Sequence, residues 1–260
     1  MARILAITNQ KGGVGKTTTG VNLAASLAAT KQRVLLVDLD PQGNATMGSG
    51  IDKRALTITV YHVLLGEKVL ADVLQRAGSG EYDVVPANRE LAGAEVEMVD
   101  MEHRETRLKD ALAAHTGDYD FVLIDCPPAL NLLTLNGLTA AHAVMIPMQC
   151  EYYALEGLSD LVQTVKKVRE YLNPGLEIEG LLRTMYDPRN MLAQQVSQQL
   201  LEHFGDKVYR TVIPRNIRLA EAPSHGLPAM HFDRASKGAQ AYIALAGEML
   251  NRQARPAATL

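Results

Sequence analysis

The sequence predicts an α/β protein with a mainly parallel, twisted sheet and helices on both faces. Three observations lead there. Short β-branched runs alternate with longer helical patterns along the chain, the signature of repeated β-α-β units. Two of the runs, Val34-Leu35-Leu36-Val37 and Phe121-Val122-Leu123-Ile124, are apolar on both faces and belong in the middle of a sheet covered on both sides. With 260 residues and 47% apolar side chains, the chain can bury one sizeable core.

Taken in order, strands are expected over residues 3–8 and 33–38. Between them Val21, Leu23, Ala24, Leu27 and Ala28 recur at helical spacing, which predicts a crossover helix over 16–29. Further strands are expected over 82–86, 121–125, 143–147 and 177–185, each followed by a helical pattern, with a late strand over 208–213. A last helix is expected over about 236–250. Residues 43–55 and 98–107 are the least regular internal stretches, and such segments in an open α/β sheet often lie at the strand ends where ligands bind. No repeat or linker divides the chain, so residues 1–250 are expected to form one domain, with 251–260 as a fraying tail.

Composition narrows the class. The apolar run at residues 4–7 is too short for a signal peptide, and no stretch approaches the roughly 18–20 apolar residues of a membrane span. A cytoplasmic location is expected. Cys126 and Cys150 lack metal-ligand spacing and read as buried thiols of a reducing compartment. The net charge of −3 is unevenly placed: residues 1–180 hold 16 Lys and Arg against 23 Asp and Glu, whereas residues 181–260 hold 10 against 6. An acidic protein with a basic C-terminal third can present an anion-attracting face.

The strongest local signal is Lys11-Gly12-Gly13-Val14-Gly15-Lys16-Thr17-Thr18, which follows a predicted strand and opens a predicted helix. Phosphate oxygens need several backbone N–H groups converging on one point, and glycines let the loop curl that tightly. The helix adds its positive end. In this P-loop reading Lys16 lies between the β- and γ-phosphates, Thr17 gives its hydroxyl to Mg²⁺, and Thr18 helps hold the α- and β-phosphates. The loop is a variant, with Gln10 where the usual pattern has its first glycine and an additional cation at Lys11. Asp125, at the end of a buried run, is the expected metal-side acid. Asp38 and Asp40 reach the same edge from a neighbouring strand. Asp40 is expected to orient the attacking water, and Asp38 to stand behind the metal.

Together with Asp38-Leu39-Asp40-Pro41-Gln42-Gly43-Asn44, the loop resembles the deviant Walker A ATPases, a branch of the P-loop NTPase fold. Within them the chain is similar to the chromosomal ParA, or Soj, family. The similarity continues through Asp125-Cys126-Pro127-Pro128, the segment from Pro147 to Gly157, and Ile213-Pro214-Arg215-Asn216-Ile217-Arg218-Leu219-Ala220-Glu221-Ala222-Pro223-Ser224. The chain starts directly at the first strand, so the helix-turn-helix domain of many plasmid relatives is expected to be missing.

The resemblance implies a Mg²⁺-dependent ATPase that forms a sandwich homodimer with ATP, Lys11 of each subunit reaching the partner's nucleotide. It implies non-specific binding to double-stranded DNA, a nucleoid-associated location, and slow hydrolysis stimulated by a ParB-like protein. Met185, Pro214, Arg215 and Asn216 would lie on the adenine side; Arg189 and Arg218 would contact DNA. Arg183 and Asn190, near that DNA segment, stand where relatives more often carry an aliphatic residue and Thr. The nearest rival is a MinD-like ATPase that targets membrane through a C-terminal amphipathic helix, but the apolar stripe between basic residues is missing here. An amide-forming or carboxylating ligase on the same fold would need acid-base groups that the seven scattered histidines do not supply.

Overall fold

The computed structural model describes residues 2–79 and 81–254. Seven strands form one sheet among these residues: β1 (Arg3–Ile7), β2 (Val34–Asp38), β3 (Gln75–Arg76), β4 (Asp83–Val85), β5 (Phe121–Asp125), β6 (Ala143–Gln149) and β7 (Glu177–Thr184). Their order is β3-β4-β2-β5-β1-β6-β7, and only β3 runs antiparallel to its neighbour. The helices are α1 (Lys16–Ala28), α2 (Asn44–Gly48), α3 (Val60–Leu65), α4 (Leu70–Val73), α5 (Leu91–Glu97), α6 (Arg107–Ala113), α7 (Leu132–Ala140), α8 (Ala154–Tyr171), α9 (Met191–Phe204), α10 (Ile217–Glu221), α11 (Ala229–Phe232) and α12 (Lys237–Ala254).

Successive strand residues point to opposite faces, and the two central runs divide accordingly. Leu35, Val37, Val122 and Ile124 enter one core, which also takes apolar residues of α3 and α5 to α9. Val34, Leu36, Phe121 and Leu123 enter the other, shared with α1 and α12. There the Thr19 hydroxyl and the Tyr242 phenol meet at 3.1 Å in a buried pair that joins α1 to α12.

Three expectations change. Residues 208–213 do not form a strand: Val208 bridges to Leu181, Tyr209 N and Ile213 N donate to the Leu181 and Arg183 carbonyls of β7 at 3.0 and 2.9 Å, and a further bridge joins Tyr186 to Pro214 just beyond. The reason is competition for the backbone. Arg183 Nη2 donates to the Tyr209 and Arg210 carbonyls, at 2.8 and 3.2 Å, and Glu248 accepts from the Arg210 and Thr211 amides, at 2.9 and 2.8 Å. Side chains hold groups that a ladder would use. The last helix passes residue 250 and runs to Ala254, so the start of the expected tail is ordered. Arg252 secures that turn by donating to Val208 O and Glu248 and stacking 4.2 Å from the Tyr209 ring centre. Residues 255–260 of the expected tail lie outside the described residues. The third change is β3, a two-residue exposed strand too short to leave a periodic signal.

Candidate nucleotide-binding site

The chain leaves β1 between β5 and β6, where the connections diverge to opposite halves of the sheet. Such a switch point opens a crevice beyond the carboxyl ends of the strands. Asn9 shapes the exit: its amide donates to Pro147 O at 2.8 Å and its oxygen accepts from Lys11 N at 2.9 Å. Gly13 and Gly15 then take left-handed conformations, φ 73° and 90°, which side chains rarely adopt. Val14 is buried, and its carbonyl accepts from the Thr184 hydroxyl at 2.7 Å. A Cβ added at Gly12 or Gly13 would meet nothing within 4 Å, so neither glycine is packed against the rest of the protein.

Lys16 opens α1 and is 7% exposed. Its ammonium donates to Lys11 O at 3.2 Å, bending back over the loop. Burial lowers its proton affinity, and the charges of Asp125 and Asp40 partly restore it. Lys11 behaves differently. Its half-exposed side chain pairs with Glu151 at 2.5 Å, leaving Lys16 alone on the loop's inner side. Thr18 sits in the first turn of α1, half-buried, and its carbonyl accepts from Asn22.

Asp125 and Asp38 are register partners on β5 and β2, and both are fully buried. Thr17 Oγ1 donates to Asp125 Oδ2 at 2.7 Å, while Asp125 Oδ1 is buried with no hydrogen-bond partner. Burial, and then the charge of Asp38, push the Asp125 carboxyl well above the usual range. An unpaired buried carboxylate oxygen beside a threonine hydroxyl fits a hard divalent cation. Among the described residues no cluster of three or more His, Cys, Asp or Glu makes a metal cage. Mg²⁺ keeps several waters and takes one or two protein ligands beside phosphate oxygens.

Asp38 has a different environment. Its Oδ1 accepts from Asp40 N at 3.1 Å, and its Oδ2 from the Thr46 amide and hydroxyl, at 2.8 and 2.7 Å. Burial raises its pKa to about 6 against these bonds. Asp40 is partly exposed on a turn closed by Gly43 N to Asp40 O, and its Oδ1 accepts from Gln42 N.

Met185, Pro214 and Arg215 come together at the ends of β6 and β7. Tyr186 N donates to Ile213 O, Tyr186 pairs with Pro214, and Met185 and Arg215 line one cavity with Gln149 and Cys150. Met185 holds a left-handed φ of 48°. Asn216 instead commits its side-chain oxygen to Arg218 N, capping α10. The two arginines expected at DNA both carry acidic partners on this chain. Arg189, 88% exposed, is gripped at both ends by Asp187, whose pKa falls to about 2 through that hydrogen bond. Arg218 reaches Glu221 and Asp233. Arg183 is buried among Ser197 and the 209–210 carbonyls, so its departure from the relatives' pattern concerns packing and not a DNA surface. Asn190 caps α9. Sequence reasoning missed Asn9, Thr46 and Thr184, the last because it lies 170 residues from the loop it holds.

A glycine turn between strand and helix, with a buried lysine at the helix start and a buried acid at the neighbouring strand end, defines a P-loop nucleotide-binding ATPase fold. A family model described as an AAA domain matches residues 2–178. Relatives align over nearly their full length. An uncharacterised protein of Pseudomonas putida is 62% identical, covering 100% of this chain and 98% of its own. The sporulation initiation inhibitor protein Soj of Bacillus subtilis is 55% identical, covering 96% and 98%. The chromosome partitioning protein ParA of Caulobacter vibrioides is 52% identical, covering 96% and 95%. The chain belongs to the ParA/Soj family of chromosome-partitioning ATPases.

Among solved structures, cobyrinic acid a,c-diamide synthase of Mycobacterium smegmatis, with ATP analogue and magnesium, superposes with TM-score 0.85 at 41% identity, covering 97% and 96%. The septum site-determining protein MinD of Pyrococcus horikoshii, with Mg-ADP, gives 0.77 at 29%, covering 98% of each chain.

Proposed function

We propose that this protein is an ATP-driven partition switch. Mg-ATP draws two copies into a sandwich dimer, the dimer holds double-stranded DNA without sequence preference in the nucleoid of the cytoplasm, and a ParB-like partner accelerates the hydrolysis that releases it. The observation that carries this reading is the division of labour between two lysines on one loop. Lys16 is buried inside the cradle, whereas Lys11 is exposed and held only by a solvent-facing pair with Glu151. Exposed ion pairs contribute little, so Lys11 is free to exchange Glu151 for a phosphate presented by a second subunit.

Within one subunit, the loop amides of Gly12 to Thr18 and Lys16 bind the triphosphate, while Thr17 and Asp125 supply oxygens to Mg²⁺, which offsets phosphate charge. Asp38 stands behind that side. Asp40 orients the attacking water; full proton removal is not required of it. Met185, Pro214 and Arg215 form the adenine side, with Asn216 holding the α10 end of that loop. Arg189 and Arg218 trade their acidic neighbours for DNA phosphates.

The diamide synthase likeness favours a second reading, an amide-forming enzyme on this fold. Cys126 and Cys150 offer it no ready nucleophile, since burial pushes the first thiol far up and the second to about 11. A MinD-like membrane role is disfavoured because α12 lays Tyr242, Leu245, Ala246 and Met249 into the core. No helix of the described residues is long and apolar enough to cross a membrane.

The test is DNA retention and molecular size with ATP, ADP or no nucleotide. Retention and dimerisation are expected with ATP alone, prolonged by Asp40→Ala and abolished by Lys16→Ala, with Lys11→Ala remaining monomeric. Equal retention in all three states would remove the switch. Liposome pelleting and ATP-dependent amide formation are the readouts that the two rivals require.

A further inference from the structure

The turn that carries Asp40 is tied to the rest of the chain by several bonds, among them Lys53 Nζ to Gln42 O and Leu39 N to Asp125 O. It leaves β2 at Asp38, passes Asp40 and Gly43, and returns at Thr46, whose side chain bonds in two directions at once. The Thr46 hydroxyl accepts from Ala87 N at 2.9 Å and donates to Asp38 Oδ2 at 2.7 Å. A hydroxyl has a single proton, so accepting from an amide on one side directs that proton to Asp38 on the other. Asp38 in turn receives Asp40 N at 3.1 Å. The chain of bonds therefore runs from Ala87, just beyond β4, through Thr46 and Asp38 to the backbone of Asp40. Thr46 and Asp38 are both fully buried, so water cannot replace any link.

The same wall limits the turn from its other side. Gly43 takes φ 58°, and a Cβ there would come to 2.6 Å from Ala87 O. The turn is seated against residue 87 by a hydrogen bond at one end and by a close backbone approach in the middle.

We propose that Thr46 is a positioning residue for ATP hydrolysis: its hydroxyl fixes the turn against the end of β4 and thereby sets where Asp40 stands. This rests on the reading of Asp40 given above. A carboxylate that orients water acts through geometry, and misplacement by about 1 Å can cost on the order of a hundredfold in rate. Thr46 touches no part of the loop that grips phosphate, so its contribution belongs in the rate of the chemical step and not in nucleotide affinity.

The experiment compares single-turnover hydrolysis and ATP affinity in Thr46→Val, Thr46→Ser, Asp40→Ala and the Asp40→Ala/Thr46→Val double variant, each loaded with Mg-ATP. Thr46→Val keeps the shape and removes the hydroxyl; it should slow hydrolysis roughly 10- to 100-fold with ATP affinity changed by no more than about twofold. Thr46→Ser, which restores the hydroxyl, should recover the rate to within about threefold. In the Asp40→Ala background Thr46→Val should add nothing, because a residue acting through Asp40 has no effect once Asp40 is gone. An unchanged rate in Thr46→Val, an equal loss in Thr46→Ser, or a further loss in the double variant would overturn the proposal. If Thr46→Val does not fold, Thr46→Ala carries the same comparisons. Undiminished hydrolysis in Asp40→Ala alone identifies a failure of the Asp40 reading itself, and the proposal falls with it.

Discussion

Asp38 and Asp125 stand side by side on paired strands with no exposed surface; burial raises the proton affinity of both, and the charge of Asp38 raises that of Asp125 further. For Asp38 the folded value is about 6 against 3.8 for the free side chain. A raised value means that the folded protein holds the proton more tightly than the unfolded chain. The Asp38 contribution to stability is therefore present below about pH 4 and lost as pH rises through about 6. In the nucleotide-free protein at pH 7.5, Asp125→Asn removes one of the two buried ionisable carboxyls and keeps an oxygen for the Thr17 hydroxyl. Its Tm should rise by roughly 2–4 °C, the gain should shrink at pH 4.5, where Asp38 is protonated and the repulsion is gone, and hydrolysis should disappear. Calorimetry at the two pH values checks this, and a variant no more stable than wild type at pH 7.5 would show that the folded protein already relieves the repulsion. Both aspartates were legible in the sequence because they end apolar strands. Their different environments were not, since Thr46 and Thr17 reach them through space and leave no spacing to read.

At the scale of elements, the central strands and α1 follow from local pattern: apolar β-branched runs and a glycine turn specify the same answer at every level. Residues 208–213 carry a comparable apolar pattern and still do not become a strand. Glu248 takes the Arg210 and Thr211 amides and Arg183 the Tyr209 and Arg210 carbonyls, and neither is within 20 residues of the segment in sequence. Periodicity reports side-chain burial, not which group completes a backbone hydrogen bond. Glu248 shows how much rests on this. Burial pushes its carboxyl up, but the Thr211 and Arg210 amides outweigh that and hold it below its usual value. Glu248→Ala leaves two amides without their charged acceptor and releases Arg252, which should cost about 2–4 kcal/mol. Amide exchange at residues 209–213 should accelerate together, while exchange in β1 and β5 changes only as far as global stability does. Uniform acceleration across the chain would mean that Glu248 supports the fold generally and not this segment.

The molecule as a whole is acidic, with a net charge of −3, and its expected DNA-facing arginines carry their own counter-charges. Binding to phosphate must then exchange partners: Arg189 leaves Asp187, and Arg218 leaves Glu221 and Asp233. Each exchange returns an exposed carboxylate to water and releases a counterion from DNA, so affinity should depend steeply on salt. A symmetric dimer presents each arginine twice. Arg218→Ala therefore removes two phosphate contacts per complex and should lower the slope of log affinity against log salt by about 2. Arg189→Ala should do the same, and the paired variant should lower it by about 4, with ATP affinity unchanged in all three because neither side chain touches the phosphate loop. Titrations of a labelled duplex with the ATP-loaded protein between about 50 and 200 mM salt measure the slope directly. A fall of about 1 per substitution would mean that one subunit at a time engages DNA, and no change would place the binding surface elsewhere on the protein.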